Sequence, residues 1–144
     1  MKISLKRVDD SFHFEAKNEE GRTVHMDAAE NMGGRNHGVR PMQMLLMALA
    51  GCSAIDIVSI LKKQKQQIDD LHIEVEGERE NIKQEVAKVF TDIKIHFLFK
   101  GNIESGKAKR AVELSMNKYC SVEKTLRLAG ATIAYSISIN GKSF

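Results

Sequence analysis

The run PMQMLLMALAGCSAIDIVSILKK, residues 41–63, constrains this chain more than any other segment. It opens on Pro41, the single proline. Proline suits the first position of a helix, where its fixed φ is already helical and its missing N–H has no bond to lose. The aliphatic stretch that follows predicts a helix from Pro41 to about Gln66, with Leu45, Ala48, Leu49, Cys52, Asp56 and Ser59 on one broad face. Apolar residues lie nearly all round this helix, more than packing on one face of a single sheet requires. A second copy of the chain is the simplest cover for the excess. The run also reaches the roughly 20 residues that span a bilayer. Gln43, Ser53, Asp56 and Ser59 interrupt it, however, and an aspartate near the middle of a spanning helix costs about 2.5–3.5 kcal/mol. With strand-like segments on both sides, it reads as the central buried helix of a globular fold, with no membrane partner.

Before the helix the chain alternates with a period of two: Ile3 and Leu5, then Phe12 and Phe14, then Val24 and Met26. Turn-forming Asp9-Asp10-Ser11 and Asn18-Glu19-Glu20-Gly21 separate these runs, so three strands form an antiparallel meander. After the helix, Leu71, Ile73 and Val75 mark one strand, and Ile93, Ile95, Phe97 and Phe99 another. Ala108, Ala111, Val112, Ser115 and Met116 recur at helical spacing between Ser105 and Tyr119. A short helical turn, SVEKTLRLAG, stops at Gly130, and Ile133, Tyr135, Ile137 and Ile139 mark a last strand. The order βββ-α-ββ-α-β is an α+β arrangement, with antiparallel sheets packed around the long helix in one domain spanning residues 1–144.

Composition narrows the function classes. A net charge of +3, with acidic and basic residues mixed and no basic block, gives little of the footprint expected of a nucleic-acid binder. The amino terminus MKISLKRVDD has no apolar core or cleavage site of a secretory signal, so the cytoplasm is the expected compartment. There, free or cycling thiols are expected in place of a structural disulfide. The five histidines, at 13, 25, 37, 72 and 96, fall in separate strands and loops with no ligand-like spacing, and no metal site is expected. The GGRNHG loop lacks the strand and helix context of a phosphate-binding loop and reads as a turn.

The two cysteines remain. Cys52 lies among the small residues Ala50, Gly51, Ser53 and Ala54, at what can be a tight helix contact. Cys120 stands at the end of the second helix and just before a new helical turn, whose N–H groups could stabilise a thiolate. Asp56, one turn after Cys52, is the acid inside the apolar helix, either a site carboxylate or a buried acid with a local partner. Arg35 and Arg40, in the preceding loop, are the nearest cations in sequence.

The run from Pro41 to Cys52, with proline 11 residues before cysteine, resembles the central helix of the OsmC/Ohr family of thiol peroxidases. Cys120-Ser121-Val122 resembles that family's second redox cysteine, and GCSAIDIVSILKK is most similar to a YhfA-like branch. The resemblance implies an OsmC-like fold, an intertwined homodimer with sites at the subunit interface, and a mechanism without metal, haem or flavin. Cys52 would attack a peroxide and Cys120 would resolve the sulfenic acid to a disulfide, which an external dithiol reduces. The family's peroxidases carry a glutamate just after the proline, paired with an arginine near the thiolate; here that position is Met42, beside neutral Gln43. Ser121 stands where the family often has proline, and Glu123 where serine is common.

Three readings follow. The first is a peroxidase-like redox protein acting on organic or hydrogen peroxides. The second is a noncatalytic dimer that binds a small apolar ligand or senses redox state. In the third, both cysteines are simply part of the core.

Overall fold

A computed structural model describes residues 1–82 and 86–144. They form two compact units, 1–45 and 46–144.

The amino-terminal unit is the expected meander. Strands β1 (Ile3–Arg7), β2 (Phe14–Asn18) and β3 (Thr23–Met26) pair antiparallel in that order. Its turns are built by side chains that hydrogen-bond their own backbone. Asp9 Oδ1 accepts the Ser11 N–H at 2.8 Å, and Asn18 Oδ1 accepts the Arg22 N–H at 2.8 Å. The loop after β3 is organised by Asp27, which is buried. Its Oδ2 accepts the N–H groups of His37 and Arg35, each at 3.0 Å, and its Oδ1 that of Ala28 at 2.8 Å. These donors, His37 foremost, hold its carboxyl below the ordinary range. The loop then returns to the sheet, where Val39 exchanges backbone bonds with His25 and Asp27, each at 3.1 Å. Gly38 lies so close to β3 that a Cβ would sit 2.5 Å from the His25 carbonyl, so no other residue fits without a shift.

Helix α1 (Pro41–Lys63) starts at the expected proline, and Gln43 Oε1 reaches back to the Arg40 N–H at 2.9 Å, half of a capping box. It ends three residues earlier than expected, because Lys65 adopts a left-handed φ of 56°. Its buried stripe also differs from the expected face. Leu49, Ser53, Ile57 and Leu61 are fully enclosed, Cys52 and Asp56 are half-buried beside them, and Leu45, Ala48 and Ser59 are exposed. A helix apolar nearly all round carries almost no amphipathic signal from which to set its rotation. A serine is tolerated on the stripe because Ser53 Oγ donates to the Leu49 carbonyl at 2.7 Å, so no hydroxyl is buried unpaired. By length and composition alone α1 could cross a membrane; Leu49, Ser53, Ile57 and Leu61 are enclosed by protein, but only 22% of its apolar span is buried, so the helix is less enclosed than the central buried helix expected.

A four-stranded sheet follows in the order β4 (Gln67–Asn81), β5 (Lys88–Asn102), β6 (Thr132–Ile139), β7 (Lys142–Ser143). The β4–β5 pair is antiparallel and β5–β6 is parallel. The sheet is therefore mixed, not purely antiparallel, because the helical crossover between β5 and β6 carries the chain back to the end where β5 began. The short β7 was not foreseen. Ile93, Ile95, Phe97 and Phe99 of β5 are each at most 1% exposed, as their alternation predicts. Enclosing each of these side chains contributes about 1.5–3 kcal/mol.

The crossover is α2 (Ser105–Leu114), a wide π turn over Ser115–Tyr119, and α3 (Ser121–Leu128). The expected stripe of α2 is the observed one: Ala108, Ala111, Val112, Ser115 and Met116 are all buried. In β4, Gly77 leaves room for the Phe90 ring and Leu46, and a Cβ there would sit 2.6 Å from Phe90 Cε1. Gly77→Ala is therefore expected to destabilise the protein by about 1–3 kcal/mol, the cost of overpacking. A urea midpoint at or above that of the wild type would contradict this packing.

Candidate active site

The two cysteines meet. Cys52, Asp56 and Cys120 each present a ligand-type atom, and these atoms lie within 4.8 Å of one another. Three structural decisions bring this about. Cys52 and Asp56 are four residues apart on α1, so their side chains lie one above the other. The π turn after α2 ends in a Cys120 N–H bond to the Ser115 carbonyl at 2.9 Å, which turns the chain out of the helix. Such turns are frequent at functional sites. Finally, Ser115 Oγ donates to Asp56 Oδ2 at 3.2 Å and ties the end of α2 to α1. Neither this serine nor the π turn was singled out in the sequence; the buried position of Ser115 on the α2 stripe was the available signal.

Cys120 is buried and serves as the amino-terminal cap of α3, its Sγ accepting the Glu123 N–H at 3.4 Å. Two effects compete at this sulfur. Burial comes first and raises the pKa of the thiol, with a hydrogen bond to Cys52 and the proximity of negative charge there adding to it. The N–H groups of Glu123 and Val122 act in the opposite sense. Burial wins, and the thiol is pushed up to about 12. Cys120 therefore holds its proton at neutral pH, and Cys52 beside it is half-buried.

Glu123 is buried at the start of α3, and Arg127 Nε donates to its Oε1 at 2.7 Å. Arg127 Nη2 also donates to the Ile133 carbonyl at 3.3 Å, joining α3 to β6. Arg127, in the last turn of the helix that Cys120 caps, is the arginine nearest this cysteine in the chain, a position with no distinguishing motif in the sequence. Arg35 and Arg40 have partners inside the amino-terminal unit: Arg35 Nη1 donates to Asp10 Oδ1 at 3.2 Å, and Arg40 Nη2 to Asn36 Oδ1 at 2.6 Å. Met42, in the first turn of α1, is half-buried.

Two sulfurs and a carboxylate could hold a thiophilic cation, but the same pair is also placed for thiol–disulfide chemistry. Three of the five histidines, expected to lie apart, come together, while His72 and His96 lie on β4 and β5. His13, His25 and His37 gather in the amino-terminal unit, with 4.9 Å between the ring centroids of His13 and His25 and 5.1 Å between those of His13 and His37.

Residues 34–136 match the OsmC-like protein family. Protein YhfA of Escherichia coli K12 is 39% identical over 130 residues, covering 90% of this chain and 91% of that protein. Among solved structures, a hypothetical protein from Aquifex aeolicus VF5 superposes with a TM-score of 0.77 at 26% identity, covering 96% of each chain. The organic hydroperoxide resistance protein OhrB of Bacillus subtilis superposes with a TM-score of 0.64 at 15% identity, again over 96% of each chain. With the family matched over most of its length and the α+β architecture shared, this chain belongs to the OsmC-like family.

Proposed function

We propose that this protein is a cytoplasmic thiol peroxidase that reduces organic or hydrogen peroxides through Cys52 and Cys120. The observation that carries the reading is the proximity of the two sulfurs, with Cys120 buried and protonated against Cys52. In this scheme the Cys52 thiolate attacks one peroxide oxygen and the O–O bond breaks. The alkoxide or hydroxide released takes a proton to leave as alcohol or water, and Cys52 becomes a sulfenic acid. The Cys120 sulfur then attacks the Cys52 sulfur, a disulfide forms, and the hydroxyl departs as water with the Cys120 proton. An external dithiol reduces the disulfide and is itself oxidised.

Asp56 and Glu123 act as positioning groups, the first through Ser115 and the second through its N–H to Cys120 and its pairing with Arg127. Met42 in place of the family's carboxylate predicts a slow peroxide step. The same substitution favours a second reading, a noncatalytic redox sensor or ligand binder that keeps the thiol pair without turnover. The working unit is a homodimer formed through the exposed apolar stripe of α1.

The test is stoichiometric. Reduced protein treated with one equivalent of cumene hydroperoxide, and separately with hydrogen peroxide, is expected to lose both thiols and gain an intrachain Cys52–Cys120 bond detectable by peptide mapping. Regeneration by a dithiol over repeated additions separates a peroxidase from a sensor. Two free thiols after minutes with either oxidant would overturn the proposal.

A further inference from the structure

We propose that Asp9, His13 and His37 form a binding site for a first-row divalent transition ion such as Zn2+, remote in sequence from the cysteines and built wholly within residues 1–45. Ligand-type atoms of these three residues lie within 4.8 Å of one another. Asp9 Oδ2 is 4.0 Å from His13 Nδ1 and 3.8 Å from His37 Nδ1. Ligands of a tetrahedral zinc stand about 3.3 Å apart, so closing around an ion requires the Asp9–His37 and Asp9–His13 separations to shorten by about 0.5 and 0.7 Å, and the two imidazole nitrogens to approach from within 4.8 Å. Two imidazoles and one carboxylate suit zinc or its neighbours in the series better than calcium or magnesium, which take oxygen ligands.

The groups behind these ligands are arranged as at a metal centre. Asp9 Oδ1 is occupied by the Ser11 N–H, which leaves Oδ2 facing the two rings. His13 Nε2 lies 2.8 Å from His25 Nδ1, and His25 Nε2 lies 3.7 Å from Glu15 Oε2. In the tautomer with His13 Nε2–H donating to His25 Nδ1, the lone pair of His13 lies on Nδ1, the atom that faces Asp9, while Glu15 stands near His25 as a charge and not as a hydrogen-bond partner. Metal-ligating histidines commonly donate their second nitrogen in this way, which fixes the tautomer and raises basicity. His37 is held from behind by its own N–H bond to buried Asp27. Arg35 is an opposing charge, its Nη1 standing 3.9 Å from Asp9 Oδ2 but 3.2 Å from Asp10, an alternative partner. Three protein ligands leave the fourth position to water or an exogenous group. A bound ion would fasten the loop after β3 to the β1–β2 turn.

The experiment uses untagged, chelator-treated full-length protein carrying Cys52→Ser and Cys120→Ser, which removes the thiol ligands. Isothermal titration with Zn2+ is expected to show one equivalent bound, and Co2+ is expected to give the intense visible bands of a four-coordinate site. His13→Ala, His37→Ala and the volume-conserving Asp9→Asn should each weaken binding at least tenfold. His25→Ala, which removes the supporting ring, should weaken it by about 10- to 100-fold. His72→Ala, at an exposed histidine of β4, should leave binding unchanged. Absence of binding in the cysteine-free protein, full affinity in Asp9→Asn and His37→Ala, or equal loss in His72→Ala would overturn the site.

Discussion

Cys52→Ser is expected to lower peroxide consumption to the uncatalysed background, with the fold retained. A serine hydroxyl is close in shape to the thiol, but it ionises too weakly to act as a nucleophile without an activating base. Cys120→Ser should behave differently. The Cys52 sulfur still attacks, so one equivalent of peroxide is consumed, but the sulfenic acid has no protonated neighbour to condense with and can be captured by a dione probe. Continued turnover in Cys52→Ser, measured by peroxide loss with a dithiol present, would end the peroxidase reading. Equal loss of the first equivalent in both variants would assign the two cysteines a joint role in the attack itself.

In Ile55→Glu the proposed homodimer is expected to give way to a single chain. Leu45, Ala48, Gly51, Ile55 and Ser59 recur every three or four residues along α1, and all are exposed, Ile55 by 73%. Nothing lies within 4 Å of a Cβ built on Gly51. The small residues Ala48, Gly51 and Ser59 allow another helix to approach closely, while Ile55 and Leu45 supply the apolar area. Burying an unpaired carboxylate there costs several kcal/mol in each subunit, enough to prevent association. Sedimentation is expected to give about twice 16.1 kDa for the wild type and the single-chain mass for the variant. A monomeric wild type, or a variant that remains dimeric, would refute an interface along this stripe.

Where the chain repeats a simple period against a single buried surface, sequence and structure agree closely. The β5 core and the α2 stripe followed from spacing, because each buries one face; the strands of the meander were also located by their alternation, although Ile3, Leu5 and Val24 are exposed. Agreement failed where one residue type could point either way. The rotation of α1 differed from expectation because its apolar residues surround it. The parallel β5–β6 pairing depends on how a helical crossover returns, which strand composition does not encode. The cysteine pair was identifiable from its helix positions and its family resemblance, but the contact rests on a π turn and on Ser115, neither of which has a distinct local signature. The histidine cluster was invisible for another reason. Its members come from a turn, a strand and a loop, and only the strand register with Asp27's hold on His37 brings them together.

The contact between Cys52 and Cys120 also bears on stability. A bond between them would close a loop running from residue 52 to residue 120. Cross-linking a loop of that length removes enough freedom from the unfolded chain to stabilise the native state by about 4 kcal/mol. The two processes are linked, so whatever the disulfide contributes to folding, folding contributes to the disulfide. The native scaffold acts as a high effective concentration of one thiol at the other and makes the oxidised pair correspondingly harder to reduce. A reductant of such a bond would have to work against the fold as well as against the bond.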